Sequence, residues 1–436
     1  MNLSGPKQRG RLTCIHLQAG FTPLAFFGHT QMKSIAVIGG GITGVTTAYA
    51  LAKRGFKVTL FEKHRYAAME TSFANGGQLS ASNAEVWTHL STIVKGMKWM
   101  LKADAPLLVN PKPSWHKLSW FAEFVCNIPH YERNTIATTQ LAIAAREHMF
   151  AWAAEENIDF DLKQQGILHI YRDKAGFDHA AQVSKLLAQG GLDRRAVSPS
   201  EMKAIEPALA GTYYGGYFTA SDSTGDIHKF TTAMAAAAAR LGVVCLYEQD
   251  VKRVTRQGPQ IRVETESMDG LQTLHFDGVV VCAGTASRAI AAQLGDRVNI
   301  YPVKGYSITV NLPDARSQAS APTVSLLDDE TKLVTSRLGV DRLRVAGTAE
   351  FNGFNRDIRA DRIRPLTDWV AQCFPGVSTE NVIPWAGLRP MMPDLMPRVG
   401  RGKAPNVFYN TGHGHLGWTL SAVTAEMVSD VVLGAR

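Results

Sequence analysis

Between Ser34 and Glu62 the chain spells out a strand, a glycine-rich turn, a helix and a second strand. Ser34-Ile-Ala-Val-Ile38 is a short continuous apolar run, the pattern of a central parallel strand buried on both faces. It runs into Gly39-Gly40-Gly41-Ile42-Thr43-Gly44, then a helical stretch closed at Gly55, then Lys57-Val-Thr-Leu-Phe-Glu62. G-x-G-x-x-G alone is a weak signal. Placed between strand and helix, with an acidic residue at the end of the next strand, it predicts a βαβ dinucleotide site. Gly39 permits the tight turn, Gly41 lets a pyrophosphate approach the backbone and the helix N-terminus, and Gly44 lets the helix pack close. Glu62 is expected to accept hydrogen bonds from an adenosine ribose, which disfavours a 2′-phosphate. A glycine-rich turn without a ligand is the alternative.

The rest of the chain follows an α/β pattern. Strands are predicted at 167–171, 243–247, 301–310, 342–347 and 406–410. Helices are predicted at 141–156, 174–189, 228–241, 359–372 and 416–432, with a meander between 251 and 284. Ser198-Pro-Ser-Glu201 has the spacing of a capping box with proline at the first helical position.

Composition narrows the function classes. Of the formal charge of +8, seven charges lie in residues 1–61, which hold no acidic side chain, leaving +1 for the remainder. A basic head on a neutral body does not make a nucleic-acid groove, so no nucleic-acid partner is expected. The five cysteines lie far apart without a C-x-x-C pair, so neither a metal site nor a disulfide framework is read, and a reducing, cytoplasmic location is expected. No run of 18 apolar residues suggests a span. Residues 1–31 are expected to be a disordered extension, with a weak targeting arm as the alternative. From residue 86 to 125, Trp87, Trp99, Trp115 and Trp120 interleave with Lys95, Lys98, Lys102, Lys112 and Lys117. That mixture suits a membrane interface, such as the inner face of a bacterial cytoplasmic membrane, and equally suits buried helices of a substrate domain.

Five further stretches carry a resemblance: Glu70-Thr-Ser-Phe-Ala-Asn-Gly-Gly-Gln78, Thr224-Gly-Asp226, Tyr301-Pro-Val-Lys-Gly-Tyr-Ser-Ile-Thr309, Gly387-Leu-Arg-Pro390 and Asn410-Thr-Gly-His-Gly-His-Leu-Gly-Trp-Thr419. Together they resemble the FAD-dependent D-amino acid dehydrogenases of the D-amino acid oxidase superfamily, from Met32 nearly to the C-terminus. The resemblance implies an α/β fold, a discontinuous Rossmann-like FAD-binding domain (32–85, 225–300 and 385–436) with an inserted mixed-sheet substrate domain (86–224 and 301–384).

FAD contacts are implied at Ile38, Gly39, Gly41, Ile42, Thr43, Gly44, Glu62 and Lys63. Further contacts are implied at Ser72, Asn75, Gly76, Gly77, Gln78, Val251, Ala283 and Gly284. The last group is Gly412, His413, Gly414, Leu416, Gly417, Trp418 and Thr419, before a helix whose N-terminus can stabilise charge on a reduced flavin. Arg389 is implied as the substrate-carboxylate arginine, since a guanidinium grips a carboxylate through two parallel hydrogen bonds. Tyr306 is expected as a second donor, with cross-strand packing as its alternative. The implied reaction is hydride transfer from a D-amino acid to FAD, giving a 2-oxo acid and ammonia, with electrons passing to a quinone or other acceptor. Oxidation of a cyclic secondary amine such as D-proline or a hydroxyproline is the alternative. Two departures, Pro393-Asp-Leu-Met-Pro397 and His415 where the family usually has threonine, put the preferred substrate in doubt.

Overall fold

The computed structural model describes residues 33–89, 92 and 106–434. The expected extension at 1–31, with Trp99, Lys95, Lys98 and Lys102, lies outside the described residues.

Ser34–Ile38 is the central strand of a six-stranded sheet, hydrogen-bonded in parallel to Gly278–Val281 on one side and Lys57–Phe61 on the other. Val244–Leu246 extends one edge in parallel; Val407–Thr411 extends the other, followed by antiparallel Arg398–Arg401. The period-2 alternation of strands sorts the core into two layers. Ile35, Val37, Val58 and Leu60 pack with the helices Ile42–Lys53, Ile227–Arg240 and Gly417–Leu433. Ala36, Ile38 and Phe61 pack with the meander Asp250–Gln257, Gln260–Ser267 and Gly270–Phe276. The stretch 414–433 is long and apolar enough to cross a membrane, yet it packs against Ile42–Lys53 and Tyr131–Glu155, and burial explains its composition.

The second sheet is mixed. Its strand order is Val382–Met391, Tyr301–Asn311, Arg342–Phe351, Leu333–Leu338, Ser325–Asp328, Ile167–Tyr171, Gly215–Thr219 and Arg195–Val197, with Leu107–Val109 also paired to Arg342–Phe351. Val382–Met391 pairs with Tyr301–Asn311 over ten positions, so the expected division at 385 falls inside a strand of this sheet. Its prolines at 384 and 390 are tolerated because the strand lies at the edge of the sheet.

Tyr131–Glu155 starts ten residues before its predicted limit and lies against the final helix, spanning both parts of the molecule. Its first turns are rich in threonine and asparagine, poor helix formers whose burial here overrides propensity. The hydroxyls of Thr138 and Thr139 satisfy themselves on the carbonyls four residues back, at 2.6 and 2.8 Å. The capping box at Ser198 is formed as expected, with Ser198 and Glu201 exchanging bonds.

Candidate active site

Two connected spaces lie between the sheets. The first, about 220 Å³, is the cleft above the C-terminal ends of the parallel strands, where open α/β sheets bind ligands. The second, about 570 Å³, lies under the mixed sheet.

The cleft is built by the glycine turn. Gly39 has φ +109°, and a Cβ there would lie 2.6 Å from the Cys282 carbonyl oxygen, so only glycine fits. A Cβ on Gly44 would lie 1.8 Å from the Gly39 oxygen, which sets how closely helix and strand approach. A Cβ built on Gly41 would meet Ser72 Oγ at 3.5 Å, and the residue lines the cleft. The helix Ile42–Lys53 has no side-chain cap from Gly41. Ser72 Oγ accepts from Ile42 N at 3.0 Å, and the remaining first-turn donors suit an anion. Glu62 accepts from Gly40 N and His64 N at 2.7 and 2.9 Å, which fixes the carboxylate at the cleft wall with acceptor capacity to spare. Val251, at an irregularity in the meander, lines the same end. The turn Gly414–Leu416 and the uncapped start of Gly417–Leu433 close the opposite end. A second helix N-terminus thus faces the space, and the arrangement fits a long dinucleotide with donors at both ends.

The expected cofactor residues converge here. Ile38, Thr43, Lys63, Ala283, Gly284, Gly412, His413, Gly414, Gly417 and Trp418 line the cleft, with Gly39, Gly41, Ile42, Glu62, Ser72, Asn75 and Val251. Gly76, Gly77, Gln78, Leu416 and Thr419 line the larger cavity, and Gly44 lines neither because it is the packing glycine. The Trp418 indole is buried among Phe160 and Phe230. His413 is also structural: burial pulls its pKa down to about 3, and its Nε2 meets Thr424 Oγ1 at 3.0 Å.

Four residues line both spaces: Thr71, Asn75, Arg389 and His415. Arg389 reaches the junction from the edge strand, half-buried, and lines both spaces. It donates to the Thr348 carbonyl at 2.8 Å and to that of Gly347 at 3.4 Å, and among the described residues no carboxylate forms an ion pair with it. Loss of solvation pulls its pKa down to about 10, so it remains charged at neutral pH.

Tyr306 lines the larger cavity with Arg389 but leaves the sheet on its other face. In the pairing with Val382–Met391, Val303 lies opposite Arg389 and Tyr306 opposite Ala386, so the two side chains point to opposite faces of the sheet. The Tyr306 hydroxyl donates to Glu350 Oε2 at 2.8 Å, its ring is 5.2 Å from Lys304 Nζ, and it is buried near Arg362 of the helix Ala360–Cys373. Tyr306 is thus held by packing and hydrogen bonding while also lining the larger cavity, and its expected part as a second substrate donor stays a proposal.

Sequence reading missed several residues here. Glu70, inside a quoted motif, gathers Lys63, His64 and Arg356 beside the cleft. Burial would raise its pKa, but hydrogen bonds from Arg356, Lys63 and His64 outweigh that and hold it at about 2. Ser80 and Ser82 anchor on buried Asp222, and Ser82 Oγ meets His169 Nε2 at 2.8 Å. Trp87, Trp120, Phe121 and Phe124 give the large cavity an aromatic wall. Of the interleaved lysines, Lys117 is buried and donates to the carbonyls of Asn110 and Lys112.

The chain is similar to known proteins in three ways. Residues 34–431 match the family model DAO, described as FAD dependent oxidoreductase. "D-amino acid dehydrogenase 3" of Mesorhizobium japonicum is 63% identical over 92% of this chain and 97% of its own length. A D-amino acid dehydrogenase of Paramagnetospirillum magneticum is 40% identical over 92% of this chain and 95% of its own. Among solved structures, glycine oxidase from Geobacillus kaustophilus superposes with a TM-score of 0.73, at 22% identity, over 92% of this chain and 95% of that one. L-proline dehydrogenase from P. horikoshii gives 0.72, at 19% identity, over 93% and 94%. These structures share the fold.

Proposed function

The chain belongs to the DAO family of FAD-dependent oxidoreductases, and on that premise we propose that the cleft and the cavity hold FAD and a D-amino acid end to end. The reading is oxidative deamination of the amino acid to a 2-oxo acid and ammonia. One observation carries it: Arg389 is a desolvated cation with no carboxylate partner among the described residues, and it lines both spaces. A buried charge is tolerated only when it is paired, and a substrate carboxylate supplies the partner. The identity to D-amino acid dehydrogenases over nearly the whole chain supports the substrate class.

Bound FAD supplies the hydride acceptor, and the protein's own contribution is placement. The Ile42–Lys53 N-terminus would hold the pyrophosphate, Glu62 the adenosine ribose, and the Gly414–Leu416 turn the far end of the ring system. Arg389 clamps the carboxylate so that the α-carbon hydrogen is presented at the junction, and the aromatic wall takes the side chain and excludes water. Water hydrolyses the released imino acid.

The electron acceptor in this reading is a membrane quinone, reached from the cytoplasmic side. On Trp115–Cys126 the inner face carries buried Trp120 and Phe124, while Trp115, Leu118 and Val125 stand 81%, 54% and 50% exposed at helical spacing on the outer face. Such a stripe suits a membrane interface. Anaerobic flavin bleaching by a panel of D- and L-amino acids, with D-proline included, tests the substrate class. Turnover with oxygen and with a soluble quinone in parallel tests the acceptor. Bleaching confined to L-amino acids or to D-proline would overturn the first reading, and turnover with oxygen alone the second. Serine at 115, 118 and 125 should abolish flotation with anionic liposomes if the stripe is the contact.

A further inference from the structure

The geometry points to His415 as the residue that recognises the substrate's α-amino group, through its Nδ1. The inference rests on Arg389 holding the carboxylate.

An α-amino acid carries its amine one carbon from its carboxylate, so a group that reads the amine must stand near Arg389. Among the described residues, Thr71, Asn75 and His415 share with Arg389 the lining of both spaces. An amino group bound as ammonium is a donor and needs acceptors. The Asn75 amide oxygen already accepts from Gly77 N at 2.9 Å, which leaves it one lone pair and holds it to that turn, and its amide nitrogen only donates. The Thr71 hydroxyl is oriented by donating to the Leu388 carbonyl at 3.1 Å, which leaves only weakly basic lone pairs.

His415 is differently equipped. Its Nε2 faces the Asn83 carbonyl oxygen at 3.3 Å, and a carbonyl only accepts, so Nε2 carries the proton and Nδ1 the free lone pair. Nδ1 has no hydrogen-bond partner among the described residues and is not one of the sealed, unpartnered atoms, and the residue lines the cavity. Trp87 stacks on the ring with centroids 4.6 Å apart and planes 19° off parallel, fixing which way Nδ1 points. Loss of solvation, against the opposing pull of the Asn83 bond and with a smaller push from the Arg389 charge, lowers the His415 pKa to about 4, so the lone pair is available at neutral pH.

The arrangement predicts discrimination between carboxylates that differ only in the amine. Suitable probes are 2-aminoisobutyrate, which has no α-hydrogen and cannot be oxidised, and isobutyrate, its analogue without the amine. Their binding to the FAD-loaded enzyme is read by perturbation of the flavin spectrum. His415→Leu should weaken 2-aminoisobutyrate roughly 10- to 100-fold, the span expected for one hydrogen bond to a charged group. Isobutyrate should change by less than about threefold, since it engages only Arg389. His415→Asn, which restores an acceptor, should recover part of the loss, with flavin content normal in both variants. Equal effects on the two probes, or none on 2-aminoisobutyrate, would overturn the assignment. Arg389→Ala should weaken both probes together. If it weakens neither, the carboxylate placement itself fails, and the two failures are told apart.

Discussion

The guanidinium of Arg389 lies across the backbone of Gly305, occupying the place where a side chain would be: a Cβ built there would sit 2.3 Å from Arg389 Cζ. The two residues are on adjacent strands, with Gly305 paired to Gly387 and Val303 to Arg389. The absent side chain at 305 therefore lets the cation lie flat over the sheet at the junction of cleft and cavity.

Gly305→Ala should displace Arg389 without touching the dinucleotide cleft. The clashing atoms are the end of a flexible side chain, so the guanidinium moves and the strand stays. A displacement of about 1 Å at a positioning group costs up to about 100-fold. The expected result is kcat/KM lowered by about 10- to 100-fold, with full FAD content and an unchanged melting temperature. Wild-type kinetics would show that the guanidinium position is not critical.

Removing the cation itself should cost more. Arg389→Ala leaves a desolvated carboxylate without its partner, worth roughly 3–5 kcal/mol. Catalytic efficiency should fall by on the order of 100-fold or more. Arg389→Lys restores a point charge without the two-pronged fork, so recovery should be partial. Steady-state kinetics together with the rate of flavin reduction decide the matter; near-wild-type reduction in the alanine variant would remove Arg389 from the site.

The contrast between Arg389 and Tyr306 shows what the sequence could and could not disclose. The βαβ unit was legible because its signals are local: a continuous apolar strand, glycines at fixed spacing and an acidic residue at the next strand end. Which face a residue of Tyr301–Asn311 presents is fixed by register against a strand about 80 residues away, and no local pattern encodes it. That strand, Val382–Met391, was itself not predicted. His415 was legible as a departure within a glycine-rich turn, but its stacking on Trp87 joins residues more than 300 positions apart. Tyr131–Glu155 was cut short for a related reason: burial of Asn134, Thr135, Thr138 and Thr139 compensates for poor propensity.

Tyr306→Phe is the direct check on that register. The change removes the 2.8 Å bond to Glu350, which keeps Lys304 at 3.3 Å and Asn352 Nδ2 at 2.9 Å. Stability should fall by about 1.5–3 kcal/mol, the range for a hydrogen bond to a charged acceptor. Turnover should stay within about twofold of wild type. Denaturant unfolding and kinetics on the same preparation separate the outcomes: a large fall in flavin reduction at unchanged stability would return Tyr306 to the substrate.

Glu70 yields a prediction in pH. Its carboxyl is held at about 2 in the folded protein against an ordinary 4.5, because hydrogen bonds from Arg356, Lys63 and His64 outweigh the cost of burial. A depressed carboxyl pKa adds stability that is complete above the unfolded value and is lost as pH falls through the folded one. The contribution is therefore present at pH 7, declines below about 4.5 and is gone near 2. Glu70→Gln should lower the melting temperature at pH 7 and narrow that gap to wild type as the buffer approaches pH 3. Because Lys63, Glu70 and Arg356 all line the dinucleotide cleft, the same change should weaken FAD retention at neutral pH, read as flavin released on gel filtration. A melting-temperature difference that stays constant from pH 7 to pH 3 would show that the ion cluster contributes nothing through Glu70's charge, leaving the carboxyl as a steric filler between the turn and the loop that carries Arg356.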